Sequence, residues 1–309
     1  MLQLEERPVP LPGNGQVLVR VRAFGLNRSE LMTRKGYSPG VQFPRILGIE
    51  CVGEVENDPS GELADGQQVM ALMGGMGRAF DGSYAEYTVL PKSQLHSFTS
   101  TLPYDVLGAI PEMFQTAYGS LYPALDCQPG ETLLIRGGSS SVGMLATQLA
   151  QAADLTVLAT TRNRQKAGAL LANGATHVLI DNGSVDKAVR ALYPGGVDKV
   201  LELVGTTTLA DSLHCLRPGG TGCMSGMLAE HWSIANFAPM EFIPATVRLT
   251  TYDSGQITSP TAVFENFIRQ VESGLVKLAV SRTFSLNQIV AAHQVMEDNQ
   301  ATGKLVVLP

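Results

Sequence analysis

The sequence predicts an α/β protein in which a β-rich unit is followed by a doubly wound parallel sheet. Residues 17–91 hold short runs that alternate apolar and polar side chains, the period of a half-buried strand. Residues 132–226 instead alternate short apolar runs with stretches of helical period, which is typical of a parallel sheet with helices on both faces. The chain has 309 residues, of which 44% are hydrophobic and 16% charged, so it can bury large cores and is not mainly disordered.

The β-rich unit is predicted from four runs of strand character separated by Gly and Pro clusters. Such clusters supply turns, and short strands at this spacing favour a barrel or a sandwich. The four runs are 17–26, 47–57, 67–74 and 83–91.

The α/β unit is predicted to open with one helix over 107–125, which ends at the breaker QPGE (128–131). Five apolar runs then predict strands at 132–136, 155–160, 177–181, 197–205 and 220–226. Helical stretches lie between them, and the chain returns through helices at 261–276 and 289–300 to a terminal strand at 304–309.

The strongest chemical signal is the segment TLLIRGGSSSVGMLATQLA (132–150), a buried strand that runs through a glycine turn into a helix. Unpaired N–H groups and the positive end of the helix dipole make such a helix N-terminus suitable for a pyrophosphate. The segment departs from GxGxxG, because serines stand where glycines often occur. We predict a dinucleotide site formed by Gly138, Ser139, Ser140, Ser141, Val142 and Gly143.

The end of the second strand of the α/β unit predicts which dinucleotide binds there. Folds that bind NAD place Asp or Glu at this point, on the ribose 2′-OH. This chain instead has Thr161 and Arg162, with Lys166 one helical turn further on. Two cations and a hydroxyl suit a 2′-phosphate, so NADPH is the predicted cofactor.

Charge and cysteine content limit the function classes. The formal net charge is −6 with no basic run, so we expect no nucleic-acid partner. No apolar stretch reaches 18 residues, and acids and prolines occupy the N-terminus where a signal peptide needs an apolar core. Four cysteines without a CxxC pattern indicate reduced thiols, so we expect a cytoplasmic protein with no membrane partner.

Three segments resemble the medium-chain dehydrogenases/reductases, and most closely the zinc-free quinone oxidoreductase group that includes zeta-crystallin. They are GLNRSELMTRKGY (25–37), FPRILGIECVGEV (43–55) and AIPEMFQTAYGSL (109–121). The resemblance implies a GroES-like catalytic domain (1–110 and 251–309) around a Rossmann domain (111–250), with nicotinamide and substrate in the cleft between them. It also implies a homodimer or homotetramer. Relatives usually carry about one more strand before LEERPVPLPG, which leaves open a truncation or another way of closing the barrel.

The resemblance also bears on metal content and chemistry. Zinc-dependent relatives carry Cys at the position of Asn27 and His at that of Ile49, and an amide and an isoleucine cannot replace those ligands. We therefore expect no catalytic zinc. Hydride delivery to a quinone or an activated C=C needs less charge stabilisation than alcohol oxidation, because the acceptor delocalises its own charge.

Site residues are carried over by resemblance. Asn27 and Thr116 match positions that line the nicotinamide pocket, and Tyr37, with Tyr84 as a weaker candidate, could present a phenol to the substrate. Gly226 and Tyr252 are further cofactor-binding candidates, and Lys166 matches a 2′-phosphate position. Two positions depart from the family: Met32 stands where a Tyr is frequent, and Asp181 replaces a Tyr common in NADPH sites.

The predicted function is NADPH-dependent, zinc-independent reduction of quinones or α,β-unsaturated carbonyls. An enoyl-thioester reductase is the enzymatic alternative. A low-turnover NADPH-binding protein, structural or sensory, is the alternative from another class, which Met32 and the short N-terminus keep open.

Overall fold

The computed structural model describes residues 2–309. The chain divides into two compact units, Met1–Met113 with Thr258–Pro309, and Phe114–Ile257. Among the described residues, no helix combines the length and the hydropathy needed to cross a bilayer.

The first unit is built on a seven-stranded sheet. Its strands are β1 (Gln16–Gly25), β2 (Glu50–Asn57), β3 (Gln68–Leu72), β4 (Tyr87–Pro91), β5 (His96–Ser97), β12 (Val280–Ser285) and β13 (Lys304–Leu308). The sheet follows the order β12-β13-β1-β2-β3-β5, with β4 also paired to β1. Most neighbours are antiparallel, and β12 and β13 are parallel. Its helices are α1 (Arg28–Arg34), α2 (Tyr104–Leu107), α9 (Thr261–Glu272) and α10 (Ile289–Glu297), and α3 (Pro111–Gly119) begins in it.

The second unit is built on an all-parallel six-stranded sheet. Its strands are β6 (Thr132–Arg136), β7 (Thr156–Thr161), β8 (His177–Ile180), β9 (Val197–Glu202), β10 (Leu216–Met224) and β11 (Arg248–Thr251). They lie in the order β11-β10-β9-β6-β7-β8. Its helices are α4 (Ser141–Ala152), α5 (Ala167–Ala172), α6 (Asp186–Leu192), α7 (Leu209–His214) and α8 (Pro239–Phe242). Read from β8 to β11, this is the strand order of a doubly wound dinucleotide-binding sheet, so the predicted fold class is confirmed.

Each unit has its own apolar core. In the first, alternate residues of β1 (Val17, Val19 and Val21) pack with Leu31 of α1 and Ile289 of α10. In the second, Leu134 and Leu158 from the central strands pack with Val200 of β9 and Leu213 of α7. The alternation read from the sequence is therefore the inward face of β1, as expected for a strand with one buried side.

The helical stretch expected over 107–125 is confirmed for 111–124, but it is not one regular α-helix. The chain forms α2, breaks, starts α3 at Pro111, and continues in a π-helical turn over Ser120–Ala124 that contains Pro123. Proline lacks an N–H and is tolerated only in the first turn of a helix. Pro111 therefore begins a helix, whereas Pro123 interrupts the regular hydrogen bonding of one.

Candidate functional site

The strand order creates a switch point between the central strands β6 and β9 of the second unit. The chain leaves β6 toward β7 on one side and leaves β9 toward β10 on the other, so the loops after the two strands diverge. Ligands of open parallel sheets bind in the crevice outside the carboxyl ends at such a point. Arg136 and Glu202, the last residues of β6 and β9, are paired across it, and both are fully buried.

The loop after β6 is shaped by its glycines. Gly137 has a φ of +84°, a left-handed conformation that favours glycine. A Cβ at Gly143 would lie 2.6 Å from the carbonyl oxygen of Gly137 and 2.8 Å from the Cα of Gly138. The tight return of the helix onto the loop therefore requires glycine at 143. The strand–turn–helix expected from the sequence is confirmed.

The N-terminus of α4 leaves several amides available to a ligand. The Ser140 hydroxyl caps the helix, accepting from the Gly143 amide at 3.1 Å and donating to the Gly137 carbonyl at 2.8 Å. The cap therefore uses the Ser140 hydroxyl. Three loop amides donate to no other residue in the described part of the chain: those of Ser139, Ser141 and Val142. Unpaired amides at the positive end of a twelve-residue helix suit a phosphate group.

The end of β7 holds the residues expected to select the cofactor. The Thr161 hydroxyl is buried in the turn, where it donates to the Asn163 carbonyl at 3.3 Å and accepts from the Asn163 amide at 3.2 Å. Arg162 is exposed, and Lys166 is half-buried. Burial and the neighbouring Arg162 cation both lower the pKa of Lys166. A nearby anion would relieve the repulsion between these two cations.

The sequence did not reveal the ion pair that Arg136, the last residue of β6, forms with Asp181. The Arg136 guanidinium donates to both oxygens of Asp181, from Nε at 2.6 Å and from Nη2 at 2.9 Å. Its Nη1 donates to Asp211 at 2.5 Å and to the Ser212 hydroxyl at 3.3 Å. Asp181, which follows β8 and was noted only as a departure from the family, is thus bound in a buried bidentate pair.

Glu202 completes the buried polar layer at the switch point. Its Oε1 accepts from the amides of Val204 at 2.7 Å and Gly205 at 3.0 Å, and its Oε2 accepts from the Thr208 and Ser212 hydroxyls at 3.0 and 2.5 Å. Burial raises the pKa of this carboxyl. The carboxyl therefore fixes the loop after β9, on the opposite side of the switch point from the loop after β6.

The structure brings the segments of three other candidates together in the second unit. Tyr252 follows β11 and packs its ring against Gly119, where a Cβ would lie 2.0 Å from the Tyr252 Cζ. Its hydroxyl donates to the Ile257 carbonyl at 3.0 Å. A Cβ at Gly226 would lie 2.3 Å from the Leu203 carbonyl oxygen. Thr116 is buried in α3.

Asn27 lies in the first unit as part of a buried charged cluster, which we define as Asn27, Glu30, Glu50 and Lys304. Its Nδ2 donates to Glu50 at 2.9 Å and to Glu30 at 3.4 Å, and its Oδ1 accepts from Lys304 at 2.6 Å. Lys304 also donates to Glu50 at 2.6 Å, and neither side chain is exposed to solvent. The Asn27 amide is thus bound within the cluster rather than presented as a free donor, and a direct contact with nicotinamide stays a prediction.

The cluster holds two carboxylates and one ammonium group. Burial, with the Glu50 carboxylate adding to it and Lys304 opposing it, raises the pKa of Glu30 to about 7. Glu30 also accepts from the backbone amides of Asn27 at 3.1 Å and Ile49 at 3.2 Å. The cluster therefore carries a proton on Glu30 at mildly acidic pH.

The two tyrosine candidates differ in their surroundings. Tyr37 is 59% exposed and follows α1. The Tyr84 hydroxyl is bonded to Nε2 of the buried His293 at 3.0 Å, and its ring stacks on Phe24. Tyr84 is therefore a core residue of the first unit, whereas the phenol of Tyr37 is open to solvent.

The two positions that hold zinc ligands in zinc-dependent relatives are occupied here by a hydrogen-bonded amide and a buried apolar side chain. Asn27 is bound as described, and Ile49 is an apolar residue with 2% exposure. Among residues 2–309, no group of three or more His, Cys, Asp or Glu could hold a metal ion. The lack of a catalytic zinc stays a prediction from residue type.

Comparison with known proteins places this architecture in a family. The family described as "Alcohol dehydrogenase GroES-like domain" matches residues 13–100, and that described as "Zinc-binding dehydrogenase" matches residues 173–307. The chain therefore carries the two domains of the medium-chain dehydrogenases/reductases. The resemblance drawn from the three segments is confirmed.

Individual members of the family match over nearly the whole chain. A quinone oxidoreductase from Lama guanicoe is 26% identical, over 97% of this chain and 91% of its own length. An acryloyl-coenzyme A reductase from Sulfurisphaera tokodaii is 26% identical, over 99% of this chain and 96% of its own length. A mycobacterial protein solved in complex with NADPH has a TM-score of 0.88 at 26% identity, covering 99% of this chain and 94% of that one.

The close approach at Gly143 gives a first prediction. We expect Gly143→Ala to lower the free energy of unfolding by about 2 kcal/mol, because its Cβ must displace the loop backbone at Gly137 and Gly138. NADPH binding should weaken with it. Thermal unfolding and NADPH titration measure the two effects.

Gly168→Ala is the matched control, since it adds the same methyl group to α5, where nothing lies within 4 Å. It should leave NADPH binding unchanged and raise helix stability slightly. Equal effects of the two substitutions would contradict the loop geometry.

Proposed function

We propose that this member of the family is an NADPH-dependent, zinc-independent reductase that transfers a hydride to quinones or α,β-unsaturated carbonyls. The observation that carries the proposal is the pairing of a phosphate-binding helix N-terminus at the switch point with Arg162 and Lys166 at the end of β7. The similarity to a quinone oxidoreductase and to a protein solved with NADPH supports the same activity.

The residues of the second unit would bind the dinucleotide in two places. The free amides of Ser139, Ser141 and Val142 hold the pyrophosphate, and Gly143 lets the helix approach it closely. Arg162 and Lys166 hold the 2′-phosphate by charge-assisted hydrogen bonds. The backbone at Gly226 lies so close to the backbone of Leu203 that no side chain would fit between them.

The bound cofactor supplies a hydride, and the protein has to orient the acceptor and supply a proton. In this proposal Thr116 of the second unit contacts the nicotinamide, and the ring of Tyr252, which packs against Gly119, supports the same site. The candidates of the first unit are Asn27, which Glu50 and Lys304 hold in one orientation, and Tyr37. We assign to the exposed phenol of Tyr37 a hydrogen bond donated to the enolate or phenolate oxygen. The acceptor then gains two electrons with the hydride and one proton from a donor or from solvent.

Reduction of an enoyl thioester is the second candidate. The similarity to an acryloyl-coenzyme A reductase favours it, because that name specifies an activated C=C next to a thioester. NADPH oxidation with 9,10-phenanthrenequinone, 1,4-benzoquinone, an enone and an enoyl-CoA separates the two. Turnover of the enoyl-CoA alone would replace the first candidate with the second.

Assembly and location are proposed with the same function. Strand β11 is the last strand of its sheet, and its outer edge has no partner among the described residues, which supports pairing in a homodimer. All four cysteines are buried and unpaired, which supports a reducing, cytoplasmic setting.

The cofactor assignment is tested at Arg162. We expect Arg162→Ala to raise the KM for NADPH on the order of tenfold and to leave the KM for NADH nearly unchanged, because only NADPH carries the 2′-phosphate. Initial rates with both cofactors at a fixed quinone concentration provide the measurement.

Arg164→Ala is the matched control, because Arg164 is equally exposed two residues further along the same segment. It should change neither KM. Two outcomes would show that Arg162 is an ordinary surface charge with no role in cofactor selection. One is an equal increase in the KM values for NADPH and NADH in Arg162→Ala, and the other is the same increase in the KM for NADPH in Arg164→Ala.

A further inference from the structure

The carboxyl edge of the second unit's sheet holds an acid close to the proposed 2′-phosphate site. Asp181 follows β8, the strand next to β7, and its amide donates to the Thr161 carbonyl at 2.9 Å. Its Oδ2 lies 3.5 Å from the Thr160 hydroxyl. Thr161 directly precedes Arg162, so a carboxylate stands one strand away from the two cations assigned to the 2′-phosphate.

A free carboxylate in that place would oppose the proposed cofactor. It would compete with the 2′-phosphate for Arg162 and Lys166 and would repel the phosphate dianion. An acid at the end of β7 would favour the cofactor without the phosphate, and Asp181 lies beside that end, on the neighbouring strand. The net preference therefore depends on what neutralises Asp181.

Arg136 supplies that neutralisation. Its guanidinium makes two parallel hydrogen bonds to the Asp181 carboxylate, the strongest geometry for such a pair, and its side chain is entirely buried. A second carboxylate, Asp211, accepts from its remaining nitrogen at 2.5 Å. The position of Arg136 is set by β6, immediately before the phosphate-binding loop.

We propose that Arg136 is a positioning residue that sets the preference for NADPH over NADH by binding the Asp181 carboxylate. This inference rests on the proposed function and adds a residue to it that touches neither phosphate. Loss of the guanidinium leaves the Asp181 charge uncompensated beside Thr161. NADPH binding then weakens while NADH binding, which involves no charge at the 2′ position, changes little.

The test compares the dissociation constants of NADPH and NADH, measured by titration calorimetry. Arg136→Gln should raise the ratio of the NADPH constant to the NADH constant on the order of tenfold. The double variant Arg136→Gln, Asp181→Asn removes the uncompensated charge and should return the ratio to that of the wild type. A purely structural role would weaken both cofactors together and leave the ratio unchanged.

A second pair of variants covers a failure of Arg136→Gln to fold, since that substitution leaves two carboxylates without a cation. Arg136→Gln, Asp211→Asn leaves only Asp181 uncompensated, and adding Asp181→Asn to it removes that charge as well. The first should show the raised ratio and the second the wild-type ratio.

The outcomes separate the two proposals. A wild-type protein that binds neither cofactor, or binds NADH more tightly, overturns the proposed function. A wild-type preference for NADPH that survives unchanged in every folded Arg136 variant overturns the role of Arg136 alone, as does a raised ratio that Asp181→Asn fails to reverse.

Discussion

Lys304→Met is expected to lower the free energy of unfolding by about 3–5 kcal/mol. Neither Lys304 nor Glu50 is exposed to solvent, and the ammonium lies 2.6 Å from both the Glu50 carboxylate and the Asn27 oxygen. Methionine is of similar length but has no charge, so the carboxylate is left buried and uncompensated. Urea unfolding followed by circular dichroism measures the loss.

Two comparisons isolate the buried pair. Lys92→Met removes a lysine that forms a 2.8 Å ion pair with Glu62, but Glu62 is 70% exposed, and such a surface pair contributes less than about 1 kcal/mol. The double variant Lys304→Met, Glu50→Gln removes the stranded charge and should recover much of the lost stability. A double variant no more stable than Lys304→Met would show that the loss has another cause.

Local patterns predicted much of the fold. The period-2 alternation located β1, the short apolar runs located the parallel strands, and the glycine turn located the N-terminus of α4. These features depend on neighbours a few residues apart, so a linear sequence contains them. Segment ends were less accurate: the run at 83–91 forms a strand only from Tyr87.

The buried ionic groups could not be predicted in the same way, because their partners are distant in sequence. Lys304 and Asn27 are 277 residues apart, and Arg136 and Asp181 are 45 apart. A signal was nevertheless present. Arg136 in TLLIR, Glu50 in LGIECVG and Lys304 in KLVVL are charged residues within otherwise apolar strand segments. A charge in such a place must find a partner, although the sequence does not say which one.

The candidate site shows the same division. The glycine turn after β6 and the cations after β7 could be located by motif, whereas the hydrogen bonds made by each hydroxyl and amide could not. Ser140 caps its helix, the Tyr252 hydroxyl is bound to a carbonyl, and the Asn27 amide belongs to a charged cluster. Several polar groups that were expected to bind a ligand therefore form hydrogen bonds within the protein and stabilise its fold.

Glu30→Gln is expected to remove a pH dependence of stability. Burial, with the Glu50 carboxylate adding to it, raises the pKa of folded Glu30 from 4.5 to about 7. Below pH 4.5 the group is protonated in both the folded and the unfolded chain, so it carries no penalty. As pH rises from 4.5 to 7, the unfolded chain releases this proton more readily, and the folded state loses stability relative to it.

Glutamine is neutral at every pH, but its single side-chain oxygen can accept from only one of the two amides, Asn27 and Ile49, that bind separate oxygens of Glu30. This loss is the same at every pH, so the stability of the variant relative to the wild type should still rise by on the order of 3 kcal/mol between pH 4 and pH 7, since each pKa unit corresponds to about 1.4 kcal/mol. Urea unfolding at half-unit steps between pH 4 and 8 measures the difference, and Glu6→Gln, at an exposed carboxylate, is the control that should show none of it. A difference between wild type and Glu30→Gln that stays constant with pH would mean that the pKa of folded Glu30 equals that of the unfolded chain, and that Lys304 offsets the burial of both carboxylates of the cluster.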